Sequence, residues 1–234
     1  MYKNLNIKIR TKIKGILSGF GKLKIHIKNL SLYLIASVLS SAIGVIINPF
    51  LAANLSPEDY AIIGYFSSFN LLFLPVISFS LLSYYSRNYF FITEDKRQSV
   101  LDTLLAAQVI IGVSGLILVL LLFYLYMKIA QVNFNFYPFA VLCFIPIFFN
   151  CFYNFLLTEL KMKMQAKSFL FIMIINTILH AFFAILYVVI MHRGATGRFW
   201  AILIPSAITG VYSFIKLFSR INIEKKIFID EIVR

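Results

Sequence analysis

The sequence predicts an all-α, polytopic membrane protein with six transmembrane helices. Hydrophobic residues make up 61% of the 234 residues, only 13% are charged, and the mean hydropathy is +0.88. A soluble domain carries about 25% charged residues. The apolar residues fall into runs of about 20 or more, the length that a helix needs to cross the hydrocarbon core. Together these observations exclude a soluble globular domain.

Six apolar runs account for the predicted spans. None has a charged residue at its centre, as expected from the high cost of placing a charge in the middle of a bilayer. The predicted spans cover residues 29–54, 57–86, 100–127, 137–158, 168–191 and 199–218. Residues 30–219 therefore form one six-helix transmembrane unit, followed by a short charged tail at 220–234.

The segment 1–29 is basic, and its apolar residues recur at steps of three or four. This pattern is typical of an amphipathic helix that lies on the membrane surface. A disordered basic tail that fixes the topology is the alternative, because Gly15, Gly19 and Gly21 weaken a helix.

The distribution of Lys and Arg predicts the orientation. Nineteen of the 22 lie at the ends of the spans that share a side with the two termini, and Lys128, Arg193 and Arg198 lie on the other side. By the positive-inside rule both termini are cytoplasmic. The net charge of +13 indicates contact with anionic membrane lipids and not with nucleic acid, because the positive charges cluster at helix ends and in the tails.

Glu58 and Asp59 are the only charged residues in the range 30–86, and they stand side by side in the first external turn. Ser56 suits the N-cap of a helix, Pro57 its first position, and Asp59 completes the spacing of a capping box. The acids therefore predict the start of the second span at the outer face. An external gate or a cation contact is the functional alternative.

Three short segments, in this order along the chain, resemble one transporter family. They are Leu55–Ala61 (LSPEDYA) after Asn48–Leu51 (NPFL), Ser83–Arg87 (SYYSR) at the end of the second span, and Gly194–Arg198 (GATGR) at the start of the sixth. The chain resembles, over about residues 30–220, the O-antigen and exopolysaccharide flippases of the multidrug/oligosaccharidyl-lipid/polysaccharide exporter superfamily. Ala61 departs from the pattern, since relatives commonly have Gly there.

This resemblance implies a transporter with two six-helix lobes that alternates access to a central cavity. Its cargo would be a polyprenyl-pyrophosphate-linked oligosaccharide, moved across the bacterial inner membrane. This chain would be the N-terminal lobe, and Glu224–Arg234 resembles the cytoplasmic connector to the second. The second lobe would come from the same gene, a partner chain or a second copy. Neither an enzymatic activity nor a cofactor or metal is expected.

Arg87 is the best single candidate for contact with the diphosphate, because a guanidinium fork matches phosphate oxygens. An arginine that binds lipid headgroups is the alternative. Amides and one imidazole inside the spans are candidates for a sugar-facing cavity wall, with hydrogen bonds between helices as the alternative. These substrate-binding candidates are Asn48, Asn70, Asn150, Asn154, Asn176 and His180. The candidates for the external face or gate are Glu58, Asp59, Arg193 and Arg198.

Backbone features should shape such a cavity. Pro49 and Pro75 predict kinks, because each proline leaves the carbonyl four residues earlier without its donor. The small residues Gly112 and Gly115 permit close approach between helices.

Other functions stay open. A drug or metabolite antiporter of the same superfamily predicts an acidic residue well inside a span, and none lies at the centre of the six runs. A membrane-embedded polyprenyl-phosphate sugar transferase needs an Asp-rich or His-bearing cytoplasmic loop, and the loop 87–99 offers only Glu94 and Asp95. A structural subunit is a third alternative.

Cys143 and Cys151 lie about 12 Å apart along one helix, which predicts packing residues and not a disulfide.

Overall fold

The structure, a computed structural model, describes the backbone of residues 2–132 and 134–218 and the side chains from residue 27 onward. Within these ranges the chain is almost entirely helical and contains no β-strand. The predicted connector at 220–234 lies outside the described residues. The predicted placement of residues 1–29 on the membrane surface stays a prediction, since the side chains of residues 1–26 are not described.

Eight α-helices and one π-helical segment follow one another along the described part of the chain. They are α1 (Tyr2–Asn54), α2 (Pro57–Ser68), α3 (Asn70–Ser78), α4 (Leu81–Asn88), α5 (Glu94–Ile129), α6 (Phe139–Met162), α7 (Ala166–Ala184), the π-helical segment (Ile185–Ile190) and α8 (Gly194–Phe218). In the described part of the chain, six stretches are long and apolar enough to cross a membrane, which confirms the predicted all-α, multi-pass architecture. They are Ile27–Asn54, Pro57–Ser78, Glu94–Ile129, Phe139–Met162, Ala166–Ile190 and Gly194–Phe218.

The second span is interrupted, and its breaks only partly follow the predicted kinks. The first break, at Phe69, comes directly before Asn70. Pro75 lies inside α3, and the helix ends four residues later at Phe79 and Ser80, which adopt left-handed backbone conformations with φ of 44° and 54°. Pro49 lies within α1, which continues as one helix to Asn54.

The break at Phe79 and Ser80 leaves the carbonyl of Ile77 without a helical donor. Gln108 of α5 supplies one, since its Nε2 donates a hydrogen bond of 2.9 Å to the Ile77 oxygen. Gln108 and Ile77 are both buried. An unpaired carbonyl in hydrocarbon costs several kcal/mol, so this amide stabilises the interruption.

The centre of the bundle is α6, which packs most extensively against α8. A Cβ atom on Gly210 of α8 would lie 2.6 Å from the Phe149 oxygen, and one on Gly115 of α5 would lie 2.9 Å from the Val76 oxygen. The predicted close approach at Gly115 is therefore confirmed. Phe123 of α5 packs edge-on against neighbouring rings, including Phe144 at 5.1 Å between ring centres. Such pairs add about 1 kcal/mol each beyond their buried area.

The bundle has two ends that differ in charge. One end carries Arg87 and Lys161 in the last turns of α4 and α6, and we name it the basic end. There Asn29 donates to the Met164 oxygen at 3.3 Å, and Gln98 donates to the Leu217 oxygen at 3.4 Å. At the opposite end, the first turns of α2 and α8 are in contact. In the predicted orientation the basic end is cytoplasmic.

Candidate functional site

Asp59 joins the starts of two helices at the opposite end of the bundle. Its Oδ2 accepts hydrogen bonds from the backbone N–H and the hydroxyl of Ser56, at 3.0 and 2.8 Å, while the Ser56 hydroxyl accepts from the Asp59 N–H. The predicted capping box is therefore confirmed. Asp59 Oδ1 also accepts from the Ala195 N–H of α8 at 2.6 Å. Two of the segments that carry the family resemblance, Leu55–Ala61 and Gly194–Arg198, thus lie in direct contact.

Gly194 makes this contact sterically feasible. Its φ is +55°, a left-handed conformation that glycine adopts without strain. A Cβ atom at this position would also collide with the Asp59 carboxylate. A side chain at residue 194 would therefore push Asp59 away from the first turn of α8.

A cavity of about 110 Å³ opens between α1, α7 and α8 and contains three of the predicted site residues. Asn48 of α1, His180 of α7 and Arg198 of α8 line it, together with Thr177. The Thr177 hydroxyl donates to the Ser40 hydroxyl at 2.9 Å, which fixes α7 against α1. The cavity wall therefore combines an amide, a hydroxyl, an imidazole and a guanidinium with aliphatic side chains, among them Ile47 and Leu51.

The charge in this cavity is positive. Arg198 is half-buried and interacts electrostatically with His180 and with the Tyr60 phenol. Neither of the two ion pairs found among the described residues involves Arg198. A guanidinium in a membrane span without a carboxylate partner favours an anionic ligand, and its planar donors match phosphate oxygens.

The remaining predicted amides do not line this cavity. Asn176 is one turn from His180, but its side chain interacts with Tyr153 and accepts a hydrogen bond of 3.1 Å from the Thr209 hydroxyl, between α6, α7 and α8. Asn70 accepts a weak hydrogen bond from the Cys143 thiol at 3.4 Å. For these two residues the structure shows the alternative that the sequence left open, hydrogen bonding between helices.

Asn150 and Asn154 lie one turn apart on α6, where Asn150 is half-buried and Asn154 exposed. Arg87 is exposed in the last turn of α4, at the basic end, and so lies at the other end of the bundle from Arg198. At the opposite end Glu58 is exposed, and the exposed Arg193 guanidinium lies 6.0 Å from the centre of the Tyr187 ring.

Glu159 is a buried carboxylate that the sequence analysis missed. Only 5% of its surface is exposed. It accepts a hydrogen bond from the Tyr85 hydroxyl and forms an ion pair of 2.5 Å with Lys163. The predicted fourth span ended at Thr158, which placed Glu159 in a loop, whereas α6 continues to Met162. The Glu-to-Lys spacing of four residues was the available sign of a continuing helix.

A second tyrosine lies next to this carboxylate at the basic end. The Arg97 guanidinium lies 4.6 Å from the centre of the Tyr89 ring, and its Nε donates to the backbone carbonyl oxygens of Tyr89 and Ile92. An ordinary phenol is neutral at physiological pH, and burial raises the pKa of the Tyr89 phenol further above its ordinary value.

Cys143 and Cys151 are both buried free thiols, as predicted. Among the described residues, no group of three or more His, Cys, Asp or Glu side chains is placed to hold a metal ion.

Comparison with known proteins identifies no relative of this chain. No protein family model matches the chain, and neither the curated proteins nor the solved structures contain a match. What is established is therefore a multi-pass α-helical membrane protein with two features: a cation-bearing cavity between α1, α7 and α8, and a buried carboxylate at the basic end.

Proposed function

We propose that this chain is the N-terminal lobe of a flippase that moves a polyprenyl-pyrophosphate-linked oligosaccharide across a bacterial inner membrane by alternating access. The observation that carries the proposal is the cavity at Arg198, a guanidinium without a carboxylate partner among the described residues, in a wall that also holds the neutral polar side chains of Asn48, Thr177 and His180. A diphosphate supplies the missing negative charge, and sugar hydroxyls suit the amide and hydroxyl groups beside it.

The family resemblance supports the same proposal from the sequence. Leu55–Ala61 and Gly194–Arg198, which carry much of that resemblance, are joined by Asp59 beside this cavity. In the proposed cycle Arg87 takes up the diphosphate at the cytoplasmic end, and Arg198 holds it nearer to the outer end. Rocking against a second lobe would expose the two in turn.

The experiment is replacement of Arg198 by Ala in the cell that makes this protein, with export of the surface glycan as the readout. We expect export to fall at least tenfold, because a charge-assisted contact to phosphate contributes about 1.5–3 kcal/mol. Lys128→Ala is the matched control, since Lys128 is an exposed cation at the same end that contacts the Tyr124 ring. Full export by Arg198→Ala at normal membrane levels would refute the proposal.

A second candidate function has one specific observation in its favour. Glu159 is a buried acidic residue of the kind that an ion-coupled drug or metabolite antiporter requires. Its hydrogen bond from Tyr85 and its ion pair with Lys163 also suit a purely structural role. Uptake into proteoliposomes under an imposed proton or sodium gradient separates the two functions. Gradient-driven transport of a small cation, lost in Glu159→Gln, would favour the antiporter.

A further inference from the structure

The short helix α4 is joined to α3 by a bend that the residues at the bend do not themselves favour. Phe79 and Ser80, both exposed, adopt consecutive left-handed conformations with φ of 44° and 54°. A residue with a side chain adopts this conformation at a cost in free energy. If both residues became helical, α3 and α4 would form one continuous helix without that cost. The bent form is therefore held by contacts made elsewhere.

The hydrogen bond to Ile77 shows what the bend replaces. In a continuous helix the N–H of Leu81, four residues later, would donate to the Ile77 oxygen. In the structure Gln108 of α5 donates to that oxygen instead, at 2.9 Å. The buried Oε1 of Gln108 accepts no hydrogen bond from the described residues. Gln108 thus takes the place of a helical donor, although its own amide is only partly satisfied in the bent form.

Two polar contacts hold α4 in its bent position. The hydroxyl of the buried Tyr85 donates to the buried carboxylate of Glu159 on α6, which also forms an ion pair with Lys163. A hydrogen bond to a carboxylate is stronger than one between neutral groups. Directly after α4, the Arg97 Nε donates to the backbone carbonyl oxygen of Tyr89 at 3.0 Å. Beyond these contacts α4 packs mainly on α5 and α6.

We propose that α3 and α4 form a two-state hinge, in which the bond between Tyr85 and Glu159 holds the bent form and its release lets the two helices join into one. The left-handed pair favours the straight form, whereas the contacts of α4 with α5 and α6 favour the bent form. No single state satisfies both, which is the condition for a switch between two arrangements.

The hinge would move Arg87, which lies two residues after Tyr85 and is exposed in the last turn of α4. Straightening would carry its guanidinium away from α6. The hinge itself does not depend on the proposed transport. Only the use of this movement, to present Arg87 to a diphosphate and then withdraw it, rests on the proposed function.

Electron paramagnetic resonance between two spin labels tests the hinge without a transport assay. The labels are attached at Leu72→Cys on α3 and Arg87→Cys on α4, both exposed positions, in the full chain with Cys143→Ala and Cys151→Ala in lipid nanodiscs. A continuous helix would hold the two positions about 22 Å apart along its axis, and a bend shortens that separation. We expect the shorter distance to predominate in this labelled protein.

Removal of one hydroxyl should release the bent form. In Tyr85→Phe we expect the ratio of the longer to the shorter distance to rise at least tenfold, because a hydrogen bond to a charged group contributes about that factor or more. Tyr84→Phe is the matched control, since it removes a hydroxyl from the exposed neighbouring residue of the same helix, and it should leave the ratio unchanged.

Two substitutions at the exposed Ser80 test the same hinge without a change in the core. Glycine adopts the left-handed conformation without strain, which favours the bent form about fivefold, whereas alanine favours the continuous helix about twofold. We therefore expect the ratio in Ser80→Ala to exceed that in Ser80→Gly about tenfold, both alone and combined with Tyr85→Phe. Equal ratios in the two Ser80 variants would overturn the proposal. An unchanged ratio in Tyr85→Phe, or a broad distribution without a maximum near the distance of the continuous helix, would also overturn it.

Discussion

Asp59 accepts hydrogen bonds from the first turns of two helices that are far apart in sequence. The helix dipoles of α2 and α8 both favour a negative charge at this point, so one carboxylate stabilises two N-termini. Its bonds to Ser56 and Ala195 lie between 2.6 and 3.0 Å. The two charged residues in the first external turn therefore differ: Asp59 joins α2 to α8, whereas Glu58 is exposed.

Replacement of Asp59 by Asn should destabilise the protein by about 1–2 kcal/mol, because the amide nitrogen cannot accept a hydrogen bond at one of the two oxygen positions. We expect the apparent Tm in detergent to fall by roughly 3–6 °C. Glu58→Gln is the matched control and should leave the Tm within about 1 °C. An equal Tm for the two variants would show that the Asp59 bonds do not hold α8.

The sequence predicted the contact of Asp59 with Ser56 but not its contact with Ala195. The capping box at Ser56 and Asp59 depends on residues three apart, so the sequence predicted it. The bond to Ala195 spans 136 residues, and only the packing of α2 against α8 brings the two together. Glu159 was missed for a different reason: a charge close to a helix end looks like a loop residue when the apolar run stops before it.

At the scale of the helix, the interruption between α3 and α4 depends on two consecutive left-handed residues, Phe79 and Ser80. Residues with a side chain adopt this conformation at a cost of about 1 kcal/mol or more. Gln108 donates a hydrogen bond to the last turn of α3. On the other side of the interruption, the hydrogen bond from Tyr85 to Glu159 holds the short α4 against α6. The break is thus stabilised by neighbouring helices and not by its own sequence.

Ser80→Gly should raise the stability of the protein by about 1 kcal/mol, because glycine adopts the left-handed conformation without strain. Ser83→Gly is the same substitution three residues later, on an exposed position inside α4, and should lower it by about 0.5 kcal/mol. Thermal unfolding in detergent measures both. A loss of stability in Ser80→Gly equal to that in Ser83→Gly would contradict the left-handed assignment.

The position of this break could be predicted only in part. Pro75 indicated a disturbance of the second span, and α3 does end one turn beyond it. The left-handed pair has no glycine or asparagine, so no local signal indicated where the chain would turn. By contrast, Pro49 left α1 continuous, because a proline breaks one hydrogen bond and neighbouring helices often compensate for the loss.

At the scale of the whole molecule, composition determined most of the architecture. Runs of apolar residues long enough to cross a bilayer have few alternatives to a helix, so the number and order of the spans were predictable. The cavity at Arg198 was not, because it depends on which faces of α1, α7 and α8 meet. Asn48 and His180 were predicted as cavity residues, and Arg198, predicted at the external face, joins them there.

The orientation of the molecule is testable by cysteine labelling. In a chain with Cys143→Ala and Cys151→Ala, the exposed positions Lys167 and Arg193 are replaced by Cys one at a time. The charge distribution predicts that a membrane-impermeant maleimide labels Arg193→Cys in intact spheroplasts and labels Lys167→Cys only after the membrane is opened. The reverse pattern would invert the molecule and place Arg198 at the cytoplasmic side.

The most direct test of the central claim is the affinity of the purified protein, in lipid nanodiscs, for a polyprenyl diphosphate. We predict that Arg198→Ala weakens this binding about tenfold or more, while Lys128→Ala binds as the wild-type protein does. We also predict tighter binding of the diphosphate than of the matching monophosphate, because the additional phosphate adds charge and acceptors. Equal affinity of the wild-type protein and Arg198→Ala would contradict the assignment of this cavity to the diphosphate.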